Sequence, residues 1–209
     1  SNPAPVMTVP KGTQLVRKLV ELDAANKFAT NDKGSAELFS TVFKNVSRYN
    51  PTQKDWMYYN GIKWIADTEG MKAKRNAKKL ADAILSYAVN VSELDRENYL
   101  KYASRLMNYR DRNTMVNDAK DLNFFENTEL DKDDLLLNLK NCVLDLSGDM
   151  PKVLEHNADL LLSKCCNASY DPQATCKLWE KTINEIMEGN TEKIRYLQKI
   201  LGLCLTGIT

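Results

Sequence analysis

The sequence predicts a mostly α fold of the α+β class, a helical bundle carrying two small β-hairpin regions. Three observations point there. Apolar residues recur at helical spacing through much of the chain. Asn60-Gly61 sits between two aromatic-rich runs, and two short leucine- and valine-rich runs follow Asp131.

Taken in order, residues 1–12, with Pro3, Pro5, Pro10 and Gly12, read as a flexible lead-in whose Ser1-Asn2 opening resembles the scar of a cleaved tag. After Thr13, Leu15, Val16, Leu19, Leu22 and Ala25 mark one face of a first helix. Asn31-Asp32-Lys33-Gly34 reads as a turn, with Ser35 capping a second helix that carries Leu38, Phe39, Val42 and Phe43.

The clearest local signal is Trp56-Met57-Tyr58-Tyr59-Asn60-Gly61-Ile62-Lys63-Trp64-Ile65. Asn-Gly suits a two-residue type I′ turn, in which both turn residues take positive φ. That turn pairs Tyr59 with Ile62 and Met57 with Trp64 on one face, and places Tyr58 with Lys63 and Trp56 with Ile65 on the other. Aromatics on an exposed ribbon stack on bases. Two equally apolar faces favour packing on the flanking helices instead, so Trp56, Tyr59 and Trp64 are expected to be structural.

Met71 to Ala88 is expected as a helix with an inward stripe of Ala77, Leu80, Ala81, Ile84 and Ala88. Ser92 is placed as the cap of the next, with Tyr99, Tyr102, Ala103, Leu106 and Met107 inward, and a shorter helix runs through Val116, Ala119 and Leu122. Leu135–Leu139 and Val143–Leu146 read as strands around Asn141-Cys142, and a turn at Ser147-Gly148-Asp149 leads towards Met150–Leu154. Two helices close the chain. One carries Leu178, Trp179, Ile183, Ile186 and Met187 and stops at Gly189; the other carries Ile194, Leu197 and Leu201.

Composition excludes several classes of function. The 209 residues are 43% hydrophobic and 27% charged, with no apolar run near the ~18–20 residues of a membrane span, so a soluble, cytoplasmic protein without a membrane partner is expected. Five cysteines form no disulfide framework and read as reduced thiols, with Cys166 and its neighbours acting as small apolar residues. In that setting the sequons at Asn45, Asn90 and Asn167 carry no meaning. The sequence holds no Gly-x-x-x-x-Gly-Lys-Ser/Thr loop and no Gly-x-Gly-x-x-Gly, hence neither a phosphate cradle nor a dinucleotide fingerprint. His156, Cys165, Cys166 and Cys176 lack the paired spacing of zinc ligands. Asp131-Lys132-Asp133-Asp134 opens like a calcium loop, but Leu136 stands where glycine is needed and Cys142 where the bidentate glutamate belongs, which leaves a solvated acidic turn. One histidine with scattered serines makes no nucleophilic triad.

The net charge of +1 conceals a split. Residues 1–112 hold 19 Lys+Arg against 12 Asp+Glu, or +7, and residues 113–209 hold 10 against 16, or −6. An anionic partner such as nucleic acid accounts for this, and so does a dipolar surface that fixes packing between the halves or with a neighbour. Lys72, Arg75 and Lys79 recur at i, i+3 and i+7 opposite the Leu80/Ile84 stripe, with Lys78 beside them. Lys101 and Arg105 repeat the arrangement on the next helix, with Arg110 and Arg112 at its end. These six, Lys72, Arg75, Lys78, Lys79, Lys101 and Arg105, are the candidate phosphate contacts.

Several segments together resemble one family. Asn31 to Phe39, then the hairpin ending Asn60-Gly61-Ile62-Lys63-Trp64, are similar to the opening of the domain that precedes the helicase in phage, plasmid and poxvirus-type primase–helicases. Leu136 to Leu146 resembles the family's leucine-rich strand, turn and Val-Leu-Asp-Leu strand. His156-Asn157-Ala158-Asp159, Tyr170-Asp171-Pro172, Cys176-Lys177-Leu178-Trp179 and Gly202-Leu203-Cys204-Leu205-Thr206-Gly207 follow in family order and spacing. Two departures stand out. Cys142 replaces a glycine, so its turn is expected to take another type, and Ala158 stands where proline is usual.

The resemblance implies a mobile-element replication protein whose ATPase, of the ring-forming superfamily-three kind, follows this region. ATP and magnesium would belong to that ATPase and no cofactor to this chain. No position here matches the parent's catalytic residues. The chain is accordingly expected to be a non-catalytic collar or linker domain, with the downstream ATPase, subunits of a homo-oligomeric ring, and weakly and non-specifically bound DNA as partners. A pure oligomerisation module without DNA contact is the rival. Residues 13–125 would form a basic helical subdomain with the aromatic hairpin, and residues 126–209 an acidic α+β subdomain leading to the ATPase.

Overall fold

The computed structural model describes residues 12–24, 29–126 and 128–208. Of the lead-in expected over residues 1–12, residues 1–11 lie outside them, as does the apolar position Ala25, while Gly12 already belongs to the first helix. The fold is mostly α, 51% helical, with seven α-helices and two three-stranded antiparallel sheets among the described residues. None of these helices is long and apolar enough to cross a membrane. The chain forms two compact units. One runs up to Leu130 and takes back Asn157–Ser163; the other comprises Asp131–His156 and the chain from Lys164 onward.

The first unit contains α1 (Gly12–Ala24), α2 (Asp32–Phe43), a sheet of β1 (Ser47–Asn50), β2 (Asp55–Tyr59) and β3 (Trp64–Asp67), then α3 (Met71–Asn90), α4 (Glu93–Leu106) and α5 (Tyr109–Asp118). α3 is the central helix, packed against α1, α4 and α5. Its Ala77, Leu80, Ala81, Ile84 and Ala88 are all buried, and the small alanines let neighbouring helices approach closely. Asp23 of α1 accepts hydrogen bonds from the Tyr87 and Tyr99 hydroxyls, the latter at 2.7 Å, tying α1 to α3 and α4.

Helix starts follow side-chain chemistry that the sequence leaves ambiguous. Asn31, not Ser35, caps α2: its Oδ1 accepts from the Gly34 amide at 2.7 Å. Ser35 lies inside the helix, buried, with its hydroxyl 2.9 Å from that of Tyr102. Ser92 does precede α4, but its hydroxyl donates to Asp95 and caps no amide. At α3 the buried Asp67 carboxylate accepts from the Lys72 and Ala73 amides at 2.8 and 2.9 Å. Met107 and Leu122, expected inward, are exposed, because α4 and α5 end at Leu106 and Asp118.

The aromatic hairpin forms with a different turn. β2 and β3 pair Tyr59 with Trp64 and Met57 with Ala66, leaving a four-residue loop, Asn60 to Lys63, in place of a two-residue one. The Asn60 side chain explains the change: its Oδ1 accepts from the amides of both Ile62 and Lys63 at 2.9 Å. Gly61 takes φ 98° while Asn60 is not left-handed, so a type I′ turn is ruled out. The register moves by two residues, which preserves the faces where a slip of one would exchange them. Met57, Tyr59 and Trp64 pack with Phe125 and Ala158, and Trp56 packs with Phe39 in the helical core. Both faces are covered, and the expected structural role of the aromatics follows.

The second unit holds β4 (Leu136–Asn138), β5 (Val143–Asp145) and β6 (Lys152–Leu154), with α6 (Lys177–Ile186) and α7 (Thr191–Leu203). The β4–β5 turn closes through Leu139 N–H donating to the Cys142 carbonyl at 2.9 Å. Cys142 is buried and takes no positive φ, in line with the turn change expected from its lack of glycine freedom. α6 stops through Glu188 and Gly189, at φ 54° and 71°. Asn190 caps α7 through the amides of Glu192 and Lys193.

Candidate nucleic-acid interface

Two helices of the first unit set their polar edges side by side. On α3, Met71, Lys74, Arg75 and Lys78 follow i, i+3, i+4, i+7 spacing, and on α5 Tyr109, Arg112, Asn113 and Val116 do the same. Together with Ala77 they line an open cleft of about 310 Å³. No acidic side chain among the described residues lines it. Among the described residues no carboxylate lies within ion-pair distance of Lys74, Arg75 or Lys78. Four uncompensated cations in one concavity concentrate positive potential where water is partly excluded.

Arg112 is held in place. Its Nη1 donates to the carbonyls of Leu106 at 2.8 Å and Met107 at 2.5 Å, at the C-terminal end of α4, where the helix dipole favours a cation. The amides that open α3 are already taken by Asp67, so anion attraction in the cleft comes from side chains rather than a free helix terminus.

The six candidates separate into groups. Arg75 and Lys78 line the cleft, and Lys79 is exposed on the same helix without lining it. The Lys72 ammonium lies 5.2 Å from the Tyr58 ring centroid. Lys101 pairs with Glu97 at 2.7 Å, which holds that carboxyl below its ordinary range, and Arg105 pairs with Asp32. Such exposed pairs are weak and exchangeable. Lys74 and Tyr109 complete the cleft without having been singled out, and Arg112, expected at the end of the Lys101/Arg105 helix and not among the six, joins them from α5. Their signal was the shared spacing of Tyr109, Arg112 and Asn113, visible only once α5 is known to begin at Tyr109.

Elsewhere, no group of three or more His, Cys, Asp or Glu among the described residues is arranged to hold a metal ion. His156 Nε2 lies 2.8 Å from the Leu139 carbonyl oxygen, beside the β4–β5 turn. Cys142 packs as a small apolar residue, its thiol pushed up by burial; Cys166 and Cys176 are exposed, against the apolar role expected of them.

Fold and cleft define an α+β domain with an uncompensated cationic face. The family model described as D5 N terminal like matches residues 36–188, and the chain belongs to that family, the N-terminal region of D5-like primase–helicase proteins. A comparison with curated proteins finds no match.

Proposed function

We propose that this domain is a non-catalytic accessory part of a mobile-element primase–helicase, and that its α3/α5 face contacts the phosphate backbone of DNA. The observation that carries the reading is the cleft lined by Lys74, Arg75, Lys78 and Arg112, with no acidic side chain among the described residues of its walls. The parent's ATPase would supply ATP and magnesium chemistry; this chain would position that ring and guide DNA. Lysine and arginine dominate the cleft walls, with Asn113 as the amide among the lining residues, so binding rests mainly on phosphate and depends little on sequence.

The test is a salt titration of DNA binding by the full chain. Replacing Arg75, Lys78 and Lys79 by Ala removes three exposed cations and lowers the slope of log K against log salt by about 2–3, at ~0.9 per phosphate contact on duplex DNA. Stability stays within about 0.5 kcal/mol. An unchanged slope in the folded triple variant sinks the reading. A purely protein-binding module is the second reading, favoured by the apolar side chains that α6 and α7 leave open: Trp179, Ile186 and Leu203 are each more than half exposed. In that case the triple variant keeps its slope and sedimentation shows self-association that detergent reverses.

A further inference from the structure

The cleft does not end at α3. A second concavity, of about 330 Å³, shares Lys74, Asn113 and Val116 with the first and continues past Asn117 to Lys54 and Lys120. The combined groove carries Lys54, Lys74, Arg75, Lys78, Arg112 and Lys120 against Asp55 and Glu69. One Asp55 oxygen is already engaged by the Trp56 amide at 2.8 Å. Lys54 and Glu69 are two of the five non-glycine residues at positive φ among those described, and both line this second stretch. Backbone strain of this kind concentrates at binding sites.

At the other end stands Tyr109. Its ring is 71% exposed on the first turn of α5, inside a wall of cations, with a rigid helix behind it. The core has no use for the ring there, since the inward face of α5 is made by Met115, Val116 and the following Ala119. An open aromatic face beside a cationic groove matches an unpaired nucleobase on a phosphate chain. Duplex DNA keeps its base faces stacked inside and offers a convex backbone, so it can use the cations but neither the ring nor the concavity. From Tyr109 to Lys120 the groove runs roughly 16 Å, at ~1.5 Å per residue along the helix.

We propose that this groove is a track for single-stranded nucleic acid, with a base stacked on Tyr109 and successive phosphates held by Arg112, Arg75, Lys78 and Lys74 towards Lys120. The inference rests on the phosphate-contact reading above and adds strand type, polarity-independent stacking and a path. Asn113, at the junction of the two concavities, offers the amide that reaches a sugar or base edge.

The full chain is titrated with a fluorescently labelled oligothymidylate and with a duplex of equal length. The single strand binds more tightly. Tyr109→Ala weakens it about tenfold, as loss of one stacked base does, leaves its salt slope unchanged and leaves duplex binding unchanged. Tyr109→Phe retains the wild-type affinity. Because Tyr109 is exposed, neither variant should unfold the protein, and thermal denaturation checks this. Single-strand affinity within twofold of wild type for Tyr109→Ala overturns the track. If the Arg75/Lys78/Lys79 variant still loses slope in that case, the phosphate contact stands without it; absence of binding to either DNA overturns both. Equal competition by polyglutamate at matched ionic strength shows a general polyanion surface and overturns the track as well.

Discussion

Trp64 shows how one side chain answers several demands. It is 1% exposed, its indole N–H donates to the Ala158 carbonyl at 2.9 Å, and its ring meets Phe125 edge-on at 5.0 Å. Arg48 lies 5.8 Å from the same ring. Trp64→Ala opens a large cavity and takes from the buried Ala158 carbonyl one of its two donors, the Leu161 amide remaining, so unfolding in urea should show a loss of roughly 3–5 kcal/mol. A variant of full stability with weakened DNA binding would show that the ring serves the ligand and not the core. That the aromatics of this hairpin are structural was legible in the sequence, because alternate residues on both faces are apolar. Which residues face each other was not. The turn depends on whether Asn60 adopts a left-handed backbone or folds its own side chain over the loop, and both are natural to asparagine.

Among the elements, helices were easy to read and their ends were not. A buried stripe at helical spacing survives any tertiary context, and that of α3 runs unbroken from Ala77 to Ala88. Its beginning rests on Asp67, which the sequence offers merely as one polar residue after a strand. Asp67→Ala strips both Lys72 and Ala73 of their acceptor at the positive end of the dipole and should cost about 1–2 kcal/mol by chemical denaturation. An unchanged midpoint would mean that water replaces the carboxylate at no cost. The cationic side of α3 was legible for the same reason as its stripe: it is what remains opposite. The cleft was not, since it exists only where α3 meets α5, a contact between segments far apart in the sequence. Pairing with Asp32 and Glu97 likewise distinguishes Arg105 and Lys101 from their α3 counterparts, and only three dimensions show it.

At the scale of the whole molecule, alkaline pH strains the first unit as a body. Burial pushes the Tyr59 phenol up to about 12, and burial with hydrogen bonding to Asp23 raises Tyr87 and Tyr99 further. In the unfolded chain these groups ionise near 10, so the stability they lend is complete below that pH and is lost as pH rises from about 10 through about 12. The urea midpoint should fall between about pH 9 and about pH 11, and fall less in Tyr59→Phe; identical midpoints would mean the phenols ionise freely in the folded state. The same unit takes back Asn157–Ser163, whose Leu162 and Ala158 carbonyls receive the two N–H groups of Trp64. That return has a consequence on the ribosome. When Leu130 emerges from the exit tunnel, every α-helix of the unit is available but its closing segment is still inside the tunnel. Elongation at about 5–20 residues per second brings Ser163 out only seconds later, and the sheet face bearing Trp64 stays open to chaperones for that interval.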